Sequence, residues 1–185
     1  MAKKLKGKQW YEILAPDFFK NKVIGETLAG DPKTLEGRKI GVTLSSLTND
    51  LSKYYMKIYF KINKLTENKA YTEFDSFECM KDYIIRMIKH RIERLDTVQD
   101  LETKDKIKIR VKCVIVVNRR VSQKIRKSIS KFVKTEIEKE ISSTELDRLL
   151  KKIINDDIKN KIIKKASKIY PIRYFEIRKI QKLHK

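Results

Sequence analysis

One acidic cluster in the sequence has the spacing to hold a metal ion. Asp96, Asp100 and Glu102 lie four and two residues apart, so they would share one face of a strand, and Asp105 follows them. Carboxylates that converge on divalent cations support phosphodiester cleavage in two-metal nucleases. The same acids can instead neutralise nearby lysines or a basic helix, and this is the role we expect. A metal-dependent RNA-processing nuclease is therefore kept only as an alternative hypothesis.

A cysteine and a histidine are the other candidates for chemistry. Cys79 and His90 could act as nucleophile and base, but a helix predicted there separates them by about 16 Å, too far for a hydrogen bond. Cys79 and Cys113 are far apart and form no Cys-x-x-Cys pair, so they indicate buried thiols in a reducing compartment. No glycine-rich phosphate-binding motif occurs. The sequence thus predicts no catalytic residue, no metal ion and no cofactor.

The charge of the chain is large and unevenly distributed. Forty-five Lys and Arg outnumber 24 Asp and Glu, for a net charge of +21. Residues 1–8 hold four bases and no acid, residues 106–135 hold eleven and none, and residues 158–185 hold ten and one. Thermophile proteins can also carry many lysines, but they usually interleave them with acids. The segregation predicts a surface that binds a polyanion such as folded RNA.

Residues 106–117 are the segment that most clearly predicts such a basic surface. Apolar residues at 107, 109, 111, 113, 115 and 117 alternate with Lys106, Lys108, Arg110 and Lys112. Neighbours on one strand face lie about 6.6–7 Å apart, close to the spacing of phosphates along a nucleic-acid strand. Lysines can also protect an edge strand from aggregation, but one or two would suffice. We therefore expect these four cations to contact RNA.

The predicted RNA-binding residues are cations of the three basic blocks together with four cations from the balanced segment between the first two blocks. They are Lys3, Lys4, Lys6, Lys8, Lys57, Lys61, Arg86, Lys89, Lys106, Lys108, Arg110, Lys112, Arg119, Arg120, Lys124, Arg126, Lys127, Arg173 and Arg178.

Three aromatic residues could stack on exposed bases. Tyr55 and Tyr59 share a predicted strand face with lysines, and such rings stack on bases in single-stranded RNA. They could equally pack beneath a helix. Trp10 is a third candidate, although a tryptophan in such a cluster more often anchors a segment to its own core.

The elements that would position these residues are strands first and helices later. Alternation predicts strands over 38–44 and 55–62, a hairpin from there into 70–77 across Glu67-Asn68, and paired strands over 96–104 and 107–117. Helical spacing predicts helices over 80–95, 125–141, 146–153 and 158–166, with a capping box at 142–145. Glycines and Asp31-Pro32 predict a long loop over 21–37. A final strand should follow Pro171.

This pattern predicts an α+β protein with one domain over residues 9–181. The domain would be strand-rich over 38–118, helical over 121–168 and closed by a strand over 172–180. Basic tails would occupy 1–8 and 182–185. No apolar run approaches the roughly 18 residues of a membrane span, and the start lacks the apolar segment of a signal peptide, so we expect the cytoplasm and no membrane partner.

Six segments of the chain resemble the archaeal and eukaryotic small-subunit ribosomal protein family often called three-A-e, in its short archaeal form. They are WYEILAP at 10–16, VIGET at 23–27, AYTEF at 70–74, KDYI at 81–84, SQKIRK at 122–127 and KIYPIR at 168–173. Their order and spacing carry the resemblance, which runs from about Lys8 to Gln181.

The resemblance implies a fold, partners and a location. It implies a β-barrel-like antiparallel core with peripheral helices, a place on the platform of the small ribosomal subunit, and contacts with ribosomal RNA and neighbouring platform proteins. Messenger RNA near its exit is a further candidate partner. The resemblance also implies a structural protein of the cytoplasmic ribosome rather than an enzyme. A DNA-binding architectural protein would be equally basic, but it would gain little from a neutral N-terminal half.

Overall fold

A computed structural model describes residues 7–183, which fall into two compact units. The first unit ends at Phe77 and the second begins at Glu78. Residues 1–6 and 184–185 lie outside the described part, and so do the predicted RNA-binding residues Lys3, Lys4 and Lys6 and most of the predicted N-terminal tail.

Five strands and a short helix form the regular part of the first unit. They are β1 (Gln9–Leu14), β2 (Val23–Ala29), β3 (Lys39–Thr43), α1 (Leu44–Thr48), β4 (Met56–Thr66) and β5 (Lys69–Cys79), whose last two residues pass the division. The sheet order is β2-β1-β5-β4-β3, with β1 parallel to β5 and antiparallel to β2. Buried side chains from these strands and from the turn at Leu35 form the core: Tyr11, Ile13, Ala29, Leu35, Ile62 and Ala70.

The loop predicted over residues 21–37 is wrong, because β2 occupies much of it. Gly25 pairs with Ile13 of β1 and does not interrupt the strand. Asp31-Pro32 begins a short 3-10 turn over Pro32–Leu35, where the proline occupies the first helical position. The antiparallel partner β1 supplies backbone hydrogen bonds that outweigh the local turn signals.

The second unit contains three strands and four helices among its described residues. They are α2 (Lys81–Met87), β6 (Glu93–Glu102), β7 (Lys108–Val117), α3 (Gln123–Ser142), α4 (Leu146–Ile154), α5 (Asp157–Ala166) and β8 (Ile172–Lys182). β7 lies between β6 and β8 and is antiparallel to both. The three predicted helices after residue 121 and the final strand are confirmed.

The helix predicted over residues 80–95 is wrong beyond Met87. Ile88 is extended, Arg91 has a left-handed backbone conformation at φ 66°, and β6 begins at Glu93. Ile88, Ile92 and Leu95 continue the helical spacing, but Leu95 is buried as a strand residue opposite Ile115. Pairing with the strongly alternating β7 therefore outweighs local helical periodicity.

The hairpin of β6 and β7 is confirmed. Its pairs run from Glu93 opposite Val117 to Glu102 opposite Lys108, and the turn closes where the Thr103 N–H donates to the Ile107 carbonyl at 3.0 Å. The predicted apolar face of β7 from Ile109 to Val117 is buried.

The capping box predicted at residues 142–145 is wrong. Ser142 is the last residue of α3, and Glu145 precedes α4 without a side-chain cap. Instead, the Asp105 carboxylate accepts a hydrogen bond from the Leu146 N–H at 2.9 Å, so the β6–β7 turn caps this helix from elsewhere in the chain.

The strands and helices confirm the α+β class. Among the described residues, neither the five strands of the first unit nor the three strands of the second close into a barrel by themselves. No described helix is both long and apolar enough to span a bilayer.

Two ion pairs join α3 to α5, and they should make stability depend on pH. Glu136 accepts a hydrogen bond from Lys165 at 2.6 Å and Glu140 accepts one from Lys161, and these bonds lower the pKa of both carboxyls. A carboxyl whose pKa is lowered in the folded state stabilises the fold at pH values above its ordinary pKa of 4.5. This stabilisation is lost as pH falls through the lower pKa of the folded state.

We expect the double variant E136Q/E140Q to unfold about 2–4 °C below the wild type at pH 7. The difference should shrink as pH falls from about 4.5 through the lower pKa values of the folded state, where the wild-type carboxyls become protonated as well. Thermal unfolding followed by circular dichroism between pH 3 and 7 measures this. E138Q, at an exposed position of the same helix, serves as the control, and a difference that does not vary with pH would contradict the assignment.

Candidate nucleic-acid interface

The net positive charge of the described chain lies almost entirely in the second unit. Residues 78–183 carry 30 Lys and Arg against 15 Asp and Glu, a net charge of +15. Residues 7–77 carry 11 against 9, a net charge of +2. Because a polyanion is attracted by local charge excess, the second unit is the candidate surface for nucleic acid.

The row of four cations predicted on β7 is divided by its neighbours. Arg110 lies opposite Asp100 on β6 and donates two hydrogen bonds of 2.7 Å to its carboxylate. This pairing lowers the pKa of Asp100 and raises that of Arg110. Lys106 lies in the turn with a positive φ of 60°, off the strand. Lys108 and Lys112 are therefore the members of the row that remain on the strand without this strong neutralisation.

The acidic cluster of β6 is engaged with cations and with a backbone amide. Asp96 accepts hydrogen bonds from Arg94, Asp100 from Arg110, and Asp105 from the N–H of Leu146. Among residues 7–183, no group of three His, Cys, Asp or Glu side chains comes together as metal ligands. Asp96 and Asp100 neutralise nearby bases as expected, but those bases are the strand residues Arg94 and Arg110 rather than lysines or a basic helix.

The two cysteines are buried as predicted. Cys79 ends β5 and Cys113 lies in β7, with 1% and 2% of their surfaces exposed. Burial raises the pKa of each thiol to about 12, which removes the thiolate that a nucleophile requires.

A basic depression lies at the end of the sheet where β6 begins and β7 ends. It has a volume of about 740 Å³ and is lined by His90, Arg91, Asn118, Arg119 and Arg120. Arg119 and Arg120 are predicted RNA-binding residues. Sequence reasoning missed the contribution of Arg91 and Asn118, because the pattern placed residue 91 in a helix. The exposed Arg86 and Lys89 lie on and just after α2.

The start of α3 follows this depression and is held by one carboxylate. Glu93 accepts a hydrogen bond from the Val121 N–H at 2.7 Å and another from the Arg126 guanidinium. The Ser122 side chain caps the helix. Lys124 and Lys127 remain exposed, whereas Arg126 is committed to Glu93.

Two register shifts in β8 each leave an arginine as the extra residue. Val116 and Val117 pair with Tyr174 and Ile172, which leaves Arg173 unpaired; Lys112 and Cys113 pair with Lys179 and Ile177, which leaves Arg178 unpaired. Bulges of this kind re-aim side chains. Arg173 is exposed, and its guanidinium lies 5.4 Å from the ring centre of Tyr174.

The predicted cations of the first unit are more scattered. Lys8 is exposed before β1, and Lys57 and Lys61 are half-buried on β4, opposite Thr43 and Lys39 of β3.

The predicted stacking residues differ in exposure. Tyr55 is only 6% exposed, so it offers little ring surface to a base. The Tyr59 ring lies over Gly41 of the neighbouring strand, so close that a Cβ at residue 41 would come within 2.7 Å of it. Trp10 is 63% exposed and therefore does not anchor β1 to the core. Tyr174, 37% exposed beside Arg173, was not among the residues predicted to stack on bases.

Comparison with known proteins relates the chain to one family. The profile of the Ribosomal S3Ae family matches residues 1–185. A relative from Methanothrix thermoacetophila, named small ribosomal subunit protein eS1, is 39% identical over 182 residues, which cover 97% of this chain and 85% of the relative. Relatives of the same name from Desulfurococcus amylolyticus and Archaeoglobus fulgidus are 36% and 34% identical, over 97% and 95% of this chain and 84% of each relative.

Proposed function

The chain belongs to the Ribosomal S3Ae family, and from this premise we propose that its second unit binds ribosomal RNA. The protein is a structural constituent of the small ribosomal subunit and resides in the cytoplasmic ribosome. The observation that carries the proposal is the net charge of +15 on residues 78–183 against +2 on residues 7–77. RNA phosphates would replace counterions at the exposed bases of the second unit.

The described contacts separate bases that hold the protein together from bases available to RNA. Arg110 and Arg126 are engaged with Asp100 and Glu93. Lys108 is exposed and Lys112 is half-buried on β7, while Arg119, Arg120 and Lys124 are exposed near the basic depression. We assign the strongest phosphate contacts to these five residues. The other predicted cations stay candidates.

Neighbouring platform proteins are proposed as partners of the first unit. Trp10 and Leu28 lie directly opposite each other on β1 and β2, and both are exposed, by 63% and 38%. An exposed tryptophan on a nearly neutral surface suits a protein partner better than a phosphate backbone.

Three expectations remain predictions from the family resemblance: a place near the messenger RNA exit, a contact with messenger RNA, and a barrel-like closure of the whole sheet. We also propose that the protein has no catalytic role.

Crosslinking within purified small subunits tests whether the second unit contacts RNA and the first unit contacts proteins. Ultraviolet irradiation followed by mass spectrometry should give RNA-linked peptides mainly from residues 78–183, and protein–protein crosslinks should include the strands of Trp10 and Leu28. Co-sedimentation of the chain with small subunits is the control for correct assembly. If the RNA-linked peptides came mainly from residues 7–77, the proposed RNA surface would be wrong.

The DNA-binding alternative makes a different prediction in a competition assay. A DNA-compacting protein would be displaced from its complex more readily by duplex DNA than by structured RNA of equal length. We expect the opposite order, measured at one fixed salt concentration because phosphate contacts depend strongly on salt.

A further inference from the structure

The basic depression is suited to a phosphate group. Arg91, Arg119 and Arg120 provide guanidinium groups, and Asn118 adds an amide, around a space of about 740 Å³. Arginine recognises phosphate through two parallel hydrogen bonds and is weakly hydrated, so several arginines around one space favour an anion strongly. Nothing in this arrangement alone distinguishes one phosphate of a duplex from one of a single strand.

A tyrosine on the strand paired with β7 offers a second kind of contact near the end of β7 that leads into the depression. Tyr174 pairs with Val116 of β7, and Asn118, which lines the depression, follows the end of that strand two residues later. The bulge at Arg173 places its guanidinium 5.4 Å from the ring centre of Tyr174, and the ring remains 37% exposed. A planar ring and a planar cation therefore lie on β8, opposite the last residues of β7 before the depression.

We propose that this end of the sheet binds one unpaired RNA nucleotide, with its phosphate in the basic depression and its base stacked on the Tyr174–Arg173 pair. The proposal rests on the proposed RNA-binding function and names the part of the RNA that is recognised. Bases inside an A-form duplex are stacked on each other and inaccessible to a tyrosine ring, whereas bulged and loop bases can turn outward and stack on tyrosine or arginine.

Two RNA hairpins that differ at one position test this proposal. In the first, a single 2-aminopurine is bulged from the stem; in the second, the same 2-aminopurine is paired with uridine. We expect the full-length protein to bind the bulged hairpin about tenfold more tightly and to change its 2-aminopurine fluorescence, because one base–aromatic stack contributes about that factor. The variant Y174A should lose both the preference and the fluorescence change.

Matched variants separate stacking from folding and from charge. Y174F keeps the ring and should behave as the wild type, whereas Y174L keeps an apolar side chain over Val116 but not the ring and should behave as Y174A. Y71A removes a tyrosine of nearly equal exposure, 38%, from the first unit and should change nothing. Circular dichroism verifies that each variant is folded.

Arg119 and Arg120 are tested separately, so that a failure of the nucleotide site can be distinguished from a failure of the RNA-binding function. R119S/R120S should weaken binding of both hairpins and lower the log-log salt slope by about 1.5. If R119S/R120S has this effect but Y174A and Y174L keep the preference for the bulged hairpin, the nucleotide site is wrong and the RNA-binding function stands. If neither R119S/R120S nor a variant that also replaces Lys108 and Lys112 with serine changes the affinity for either hairpin, the proposed RNA-binding function itself is wrong.

Discussion

The affinity for structured RNA is expected to lose about three units of its log-log salt slope when four cations of the second unit become serine. The four are Lys108, Lys112, Arg119 and Arg120. Each phosphate contact contributes about 0.7–0.9 to that slope, because binding releases a condensed counterion. Arg110 and Arg126 are excluded, since both are already paired with carboxylates. Loss of Arg126 would also leave the largely buried Glu93 without its cation, and the variant would then report on folding as well.

A charge-matched variant of the first unit is the control. K20S/K33S/K64S/K69S removes the same four charges from exposed positions and should change the slope by less than about one unit. Filter binding or fluorescence anisotropy over a range of salt concentrations gives both slopes. Equal losses in the two variants would mean that only the total charge matters, and that the second unit has no special surface for RNA.

The largest effect on stability is expected at a buried ion pair of the second unit. Glu176 of β8 is 5% exposed and accepts hydrogen bonds from Lys159 of α5 and from the Tyr83 hydroxyl, the latter at 3.4 Å. Burial raises the pKa of Glu176, although Lys159 and Tyr83 act in the opposite direction. K159M leaves this carboxylate buried without its cation, so the free energy of unfolding should fall by about 3–5 kcal/mol at pH 7.

The pH dependence identifies the buried carboxylate as the cause. A raised carboxyl pKa means that the folded state favours the protonated form, so stability from Glu176 is full below its ordinary pKa of 4.5 and is lost as pH rises through the folded value. Without Lys159 the pKa should rise further, and the loss in K159M should therefore shrink toward acid pH.

Two further variants complete this test, in which urea unfolding between pH 4 and 8 gives the free energy of unfolding. The double variant K159M/E176Q should recover much of the loss at pH 7, because no buried charge is left without a partner. K161M removes a more exposed lysine of the same helix, also paired with a glutamate, and should lower the free energy of unfolding much less than K159M does. A loss in K159M as small as in K161M would mean that Glu176 is well solvated.

Sequence periodicity predicted the elements whose burial pattern is repeated many times. β7 alternates from Lys108 to Cys113, and α3 carries its buried residues at helical spacing, so in both elements a local pattern and the tertiary environment agree. The assignment failed at residues 88–95, where a helical spacing continues by coincidence through a left-handed turn at Arg91 into β6. It also failed at β2, because its strand partner is needed to outweigh Gly25 and Asp31-Pro32.

The basic residues of the candidate interface could be predicted from the charge pattern, but the residues that lie next to them across the strands could not. The sequence located Arg119, Arg120 and Arg173, yet the strand register is what places Tyr174 opposite Val116, two residues before Asn118. Sequence alone also treats Lys108, Arg110 and Lys112 alike. Only the pairing of β6 with β7 distinguishes Arg110, which is held by Asp100, from the two lysines.

The burial of both thiols provides a native reporter of conformational opening. Cys79 and Cys113 are nearly inaccessible, and their raised pKa values keep them protonated, so alkylating reagents such as iodoacetamide can modify them only when the surrounding strands separate. The rate of alkylation at each cysteine, followed by peptide mass, therefore measures how often the end of β5 and the middle of β7 open in the free protein. Repeating the measurement on assembled subunits would give the local gain in kinetic protection that incorporation into the ribosome confers.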